Sequence, residues 1–153
     1  MSGDMRSVPV PCRTVDHELS RRRTLRALAR GEISRKSVCD AGREVLASAE
    51  VLGVNTGRAC PVCGDDLRET QWIHGTAMGE KSGTARSLSE VRQLLSTLGT
   101  DEELTVHTVE VCLRCGWNHL IREEGYRGVV GSILPESGSA TGPGRRREDQ
   151  LGE

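Results

Sequence analysis

Cys60-Pro61-Val62-Cys63-Gly64 and Cys112-Leu113-Arg114-Cys115-Gly116 are two copies of one unit, C-x-x-C-G, and they hold four of the chain's six cysteines. Two intervening residues let the backbone turn so that both sulfurs of a unit face one point. The glycine that follows relieves crowding where backbone N–H groups approach the thiolates. Two such knuckles brought together by antiparallel strands supply four thiolates in a tetrahedron, the closed shell of a structural zinc. Cys63 and Cys112 are separated by 48 residues, against roughly 15–20 in compact ribbons, so the insertion has to be folded structure. The competing readings are two redox pairs or inert buried thiols. A thioredoxin-like pair needs a helix N-terminus in a βαβ unit to lower its thiol pKa, and neither unit is followed by helical periodicity.

The remaining reactive residues carry weaker signals. Cys39, in Val38-Cys39-Asp40, is expected to be a small buried apolar residue rather than a fifth ligand, and Cys12 is given no role. His119 stands four residues after Cys115, but four thiolates already close the shell. Gly75 to Ser82 resembles a phosphate-binding loop only loosely, because Glu80 stands where that motif needs its second glycine, and a carboxylate there repels phosphate. The zinc deaminase signature fails at both His74-Gly75-Thr76 and Ala59-Cys60. No paired carboxylates or nucleophile–base spacing support catalysis, so the chain is expected not to be an enzyme and to take no small-molecule substrate.

The elements that must position the knuckles read as α+β: an N-terminal helical segment, then a small antiparallel zinc-ribbon-like sheet with one inserted helix, between disordered ends. The expected boundaries are 1–12 disordered, 13–53 helical, 54–134 zinc-ribbon-like and 135–153 a disordered tail rich in Gly, Ser, Pro and charge. In the helical segment, Thr14 or Asp16 caps a helix reaching Ala29 or Arg30 with Gly31 as its stop. Ser34 caps a short second helix, and Asp40 a third whose Val45, Ala49 and Leu52 share a face. The triplet Asn55-Thr56-Gly57 reads as the turn between the two segments. Leu67 to His74, Leu104 to Val111 and Trp117 to Arg122 read as strands. Between the first two lie the Gly-rich stretch 75–86, read as a solvated loop, and a helix opened by the capping box Ser87-Leu88-Ser89-Glu90.

The whole chain has 153 residues, 35% hydrophobic and 2% aromatic, with no Phe. That composition allows one ordinary domain with a thin core, and small domains with thin cores need a staple, which only the cysteines offer. No run approaches a membrane span, and the start lacks the pattern of a secretory signal, so a cytoplasmic, reducing location without membrane contact is expected. The formal net charge of −1 conceals an asymmetry: residues 13–53 hold nine basic and six acidic side chains, and residues 54–134 hold eight and eleven. Four thiolates around a dication make the second segment more negative still. An acidic ribbon matches a phosphate backbone poorly. Arg21, Arg22, Arg23, Arg26 and Arg30, with Arg35 and Lys36, are the one basic concentration available for anion binding, against the plainer reading of a solvated helix face.

The order VDHELSRRRTLRALARG, VCDA, CPVCG and EVCLRCGWNHL resembles a family of short actinobacterial zinc-ribbon-like proteins of unknown function, with coverage from about Val15 to Tyr126. The resemblance implies the domain outline and carries Val38 to Ala41, Cys60, Cys63, Cys112, Cys115 and Trp117 to Leu120 into the family's segments, but it implies no activity. The leading functional expectation is a non-catalytic structural-zinc adaptor that binds a protein, with transcription or its regulation suggested by class analogy alone. The alternative is nucleic-acid binding through the arginine-rich first helix. On a strand leaving the second knuckle, Trp117 and His119 share one face. The outer face would make them partner-binding residues, with Leu120 turned inward toward the Leu88 to Leu98 helix. The competing reading is that Trp117 shields the thiolates from water.

Overall fold

The computed structural model describes residues 10–128; of the disordered ends expected at residues 1–12 and 135–153, only residues 10–12 fall within them. The described chain runs β1 (Arg13–Asp16), α1 (Glu18–Ala29), α2 (Arg35–Val38), α3 (Arg43–Leu52), β2 (Val54–Ala59), β3 (Asp66–His74), a 3-10 segment (Thr76–Lys81), β4 (Thr84–Arg86), α4 (Leu88–Ser96), β5 (Glu103–Val111) and β6 (Asn118–Arg127). It is a mixed α+β fold whose six strands form one antiparallel sheet in the order β1-β6-β5-β3-β2, with β4 also paired to β3. Among the described residues no helix is long and apolar enough to cross a membrane.

Local chemistry accounts for several element ends. Ser34 accepts a hydrogen bond from the Ser37 N–H and caps α2, while Ser87 and Glu90 exchange both bonds of a capping box at the start of α4. Gly31 follows α1 with φ +76, the left-handed turn that glycine adopts without strain. In α3, Ala49 is fully buried with Val45 and Leu52 on the same face. Arg68 holds the end of this helix from β3, its guanidinium donating to the carbonyls of Ala49 (2.8 Å) and Gly53 (2.9 Å).

Five local expectations are corrected. Residues 13–16 are an edge strand rather than the start of a helix, and the preceding Cys12 N–H already donates to the Gly125 carbonyl at 2.8 Å. Four residues carry too little alternation to be read as a strand, so only their pairing with β6 defines them. The N-cap of α1 is His17, and Asp16 serves from one position further out by accepting the Glu18 N–H. The N-cap of α3 is Gly42, because Asp40 is engaged by the Asn118 amide at 3.0 Å. Asn55-Thr56-Gly57 is no turn but a bulge within β2: the Asn55 and Thr56 side chains accept the N–H groups of Gly57 and Arg58, and Gly57 has φ +77. The stretch 75–86, read as a solvated loop, is a 3-10 segment followed by β4.

The sheet is covered on both faces. One face carries Leu67, Glu69, Gln71 and Ile73 of β3 beside Glu110, Thr108 and Val106 of β5. There α4 packs Val91 and Leu95 on Ile73, Leu104 and Val106. At the other end of that face, α1 and α2 bring Leu25 and Val38 against Leu67, Trp117, Cys60 and Cys112. The opposite face carries Arg68 and Thr70, and there α3 packs on β3 and β5. Leu120 stands opposite Val109, which in turn pairs with Thr70. It therefore belongs to the α3 face and does not point toward α4 as expected.

Candidate metal centre

Each knuckle is built the same way. The Cys60 N–H donates to the Asp65 carbonyl and the Gly64 N–H to the Cys60 carbonyl; the Cys112 N–H donates to Trp117 and the Gly116 N–H to Cys112. Gly64 and Gly116 have φ +84 and +89, so the duplicated glycine is required by backbone conformation at both units. The first unit ends the β2–β3 connection and the second links β5 to β6. Pairing of β3 with β5 then brings the two units together.

The four sulfurs lie within 4.8 Å of one another, with Cys60 to Cys115 at 3.7 Å and Cys63 to Cys112 at 3.5 Å. Metal–sulfur bonds of about 2.3 Å in a tetrahedron place neighbouring sulfurs about 3.8 Å apart, so the donor set fits one metal ion. Backbone N–H groups of Val62, Cys115 and Trp117 point at the sulfurs of Cys60, Cys112 and Cys115 at 3.4, 3.5 and 3.4 Å. Without a cation, burial pushes the Cys60 and Cys112 thiols up and the Cys115 thiol up to about 12, while the Asp65 N–H lowers Cys63. Raised thiols at Cys60, Cys112 and Cys115 are the opposite of an activated nucleophile.

Trp117 is fully buried. It does not stand on an outer face, and the reading in which it shields the sulfurs is the one its position supports. His119 is half-buried and stacks on Trp117 with ring centroids 5.9 Å apart, so the two do share a side of the strand. The indole N–H of Trp117 donates at 2.7 Å to Glu110, whose side chain has no exposure at all and receives Arg21 from α1 at 2.6 Å. Cys39 sits at the edge of the centre with its sulfur 3.5 Å from that of Cys115. The segment around it straps the second knuckle: the Ala41 N–H donates to the Gly116 carbonyl, and a Cβ on Gly116 would stand 2.9 Å from the Cys39 carbonyl oxygen.

The basic residues of α1 separate. Arg21 points inward to Glu110, Arg22 contacts Glu18 at 3.5 Å and Arg30 contacts Glu32 at 3.8 Å. Arg23 and Arg26 are exposed and have no ion pair among the described residues. Arg21 is therefore turned into the fold, while Arg22, Arg23, Arg26 and Arg30 stay exposed. Glu110 was missed because its β5 run reads as plain alternation; the available signal was an acid at the last inward position of Leu104, Val106, Thr108, Glu110.

A second polar row also escaped the sequence. Two of the four histidines meet Glu123 and a third extends the row: His17 donates to Glu123 at 2.8 Å, His107 lies 3.3 Å from its other oxygen, and the His74 ring contacts that of His107 with centroids 4.5 Å apart. On the same strands, Arg13 lies against Gly125, and Arg127 pairs with Glu103. Burial, and then the neighbouring His107, hold His74 below its ordinary value of 6.5, with Glu123 pulling the other way. The hydrogen bond from His17, aided by His107, holds Glu123 below 4.5. Both shifts favour the deprotonated form in the fold. The His74 contribution is present above pH 6.5 and lost as the pH falls from there toward its lowered pKa. The Glu123 contribution is lost below pH 4.5. The urea midpoint should therefore fall in two stages on acidification, and His74→Asn should remove the first while sparing the second. A midpoint level from pH 7 to 5, with metal content constant, would count against this assignment.

Fold and centre together define a mixed α+β protein with a four-thiol site able to hold a metal ion. The chain belongs to the family described as "Family of unknown function (DUF5318)", whose pattern matches residues 9–136 and includes all four knuckle cysteines. It is 35% identical over 122 residues to uncharacterized proteins of Mycobacterium bovis and Mycobacterium tuberculosis, covering 79% of this chain and 84% of each relative. The resemblance to an actinobacterial family drawn from the VCDA and knuckle segments therefore holds. No solved structure matches this chain.

Proposed function

We propose that Cys60, Cys63, Cys112 and Cys115 hold one structural zinc ion, and that the protein is a non-catalytic adaptor binding a protein partner. The observation that carries the metal is the convergence of four sulfurs within 4.8 Å. Four soft donors in a tetrahedron favour zinc among the abundant hard and borderline cations and leave no open position for a substrate. Zinc would be held through the sulfurs alone, and its chemistry there is to cross-link four strand ends.

The adaptor surface lies beside the centre rather than at Trp117. Pro61 and Val62 of the first knuckle and Leu25, Leu28 and Ala29 of α1 line an apolar groove, and Leu113 at the tip of the second knuckle is 39% exposed. Transcription remains the expected setting by class analogy only. The nucleic-acid reading is the weaker one, because Arg21 is turned inward to Glu110 and Arg22 contacts Glu18, which leaves Arg23 and Arg26 as the α1 arginines without an ion pair among the described residues.

Metal analysis of purified protein should give about one zinc per chain, unchanged by Cys12→Ser or Cys39→Ser and lowered by serine at any of the four knuckle positions. No metal, or loss on changing Cys39, would refute the centre. A tagged chain carrying Leu28→Glu and Leu113→Glu should keep zinc and melting temperature yet lose the proteins crosslinked to the native chain. Unaltered crosslinking would refute the adaptor surface.

A further inference from the structure

The sheet face that carries Glu110 also holds a groove of about 300 Å³, lined by Arg58, Glu69, Gln71 and Arg122, with Val54 and Leu88 as apolar walls. Its floor is polar and incompletely satisfied. Gln71 is 7% exposed; its carbonyl accepts from Thr108 at 3.2 Å, and its amide nitrogen makes no hydrogen bond among the described residues. Arg86 stands directly opposite Gln71 in the β3–β4 register, and its Nε is buried without an acceptor. Arg122 makes its one ion pair among the described residues with Glu124, at 3.7 Å. Arg58 reaches Glu69 at 3.1 Å and Glu110 at 3.6 Å, too far to satisfy the Glu110 oxygen, which has no hydrogen-bond partner. Arg86 Nε is the one buried donor here without an acceptor among the described residues, and the donors of the groove-lining residues are the Arg58 and Arg122 guanidinium groups and the Gln71 amide.

We propose that this groove binds a small molecule bearing a phosphate or carboxylate group. The anion is received by Arg58, Arg122 and the Gln71 amide, and the organic portion lies between Val54 and Leu88. Two guanidinium groups line the groove against one carboxylate, and the Glu110 charge beneath it is already met by Arg21. Planar guanidinium forks suit the paired oxygens of either anion. The volume is at the lower end of the range for ligand sites, roughly 300–1,000 Å³, which selects a small metabolite over a polymer. This reading departs from the expectation of no small-molecule ligand, and it stands apart from the adaptor proposal because it uses neither the knuckles nor α1.

The test is NMR titration of the full-length, metal-loaded protein with inorganic phosphate and, separately, with succinate. The Gln71 side-chain amide and the arginine Nε–H resonances are followed. Saturable shifts with one probe or both are expected in the millimolar range; phosphate alone marks a phosphoryl ligand and succinate alone a carboxylate. Arg122→Gln, whose side chain is exposed and loosely paired, should weaken binding at least about tenfold without changing the melting temperature. Gln71→Leu should abolish it, and Arg92→Gln on the exposed side of α4 should leave it intact. No saturable shift with either probe, or equal affinity in Arg122→Gln, would overturn the proposal.

Discussion

Removing the metal from the purified protein is expected to abolish its cooperative melt and most of its strand signal, not merely to loosen the knuckle end. Structural zinc contributes on the order of 10–16 kcal/mol of apparent binding energy, and small domains are stable by about 5–15 kcal/mol in total. The loss therefore exceeds what the rest of the fold can hold. Three features extend the effect beyond the knuckles. The sulfurs of Cys60 and Cys112 belong to the same buried cluster as Leu67 and Trp117. Strands β3, β5 and β6 all start or end at a knuckle. Leu25 of α1 and Val38 of α2 pack on that cluster, so the helical segment is expected to lose its support along with the sheet. Circular dichroism against zinc content during chelation measures this. A metal-free chain with an unchanged melt would show that the thiols are dispensable to the fold.

Replacing Glu110 by Ala should cost about 3–5 kcal/mol, on the order of 10–20 °C in melting temperature. The carboxylate has no exposure and accepts from both Arg21 and the Trp117 indole. Its removal leaves a guanidinium with 13% of its side-chain area exposed and an indole N–H without an acceptor. Arg21→Ala should cost a similar amount for the converse reason, a buried carboxylate stripped of its main counter-charge. The pair Arg21→Met with Glu110→Leu should recover much of the loss, because filling the site with apolar groups of like volume removes both desolvated charges. Thermal melts of the native chain, Arg21→Met, Glu110→Leu and the double change form a double-mutant cycle. A cycle showing simple additivity would mean that the two groups do not interact in solution. Zinc content should survive in all of them, which separates this effect from damage to the centre.

The local parts of this protein were legible in its residues. The C-x-x-C-G units, the Ser34 cap, the Ser87 to Glu90 capping box, the glycine stop after α1 and the strands around Leu67 to His74 and Leu104 to Val111 rest on interactions within a few residues, which spacing exposes. Family membership was legible for the same reason, since its segments are contiguous. What sequence left open was every choice made by strand pairing. β1 is too short to announce itself and exists through β6. Trp117 and His119 were correctly placed on one side of their strand, but a sheet covered by α1 and α4 on one face and by α3 on the other has no outer side there, so the ring is buried. Arg21 looked like one of several surface arginines until the tertiary structure put Glu110, 89 residues away, beneath it. The same long-range pairing assembled the His17, Glu123, His107 and His74 row and the Gln71 groove from residues that are unremarkable one at a time. Periodicity tells which side chains share a face; only packing decides what each face meets.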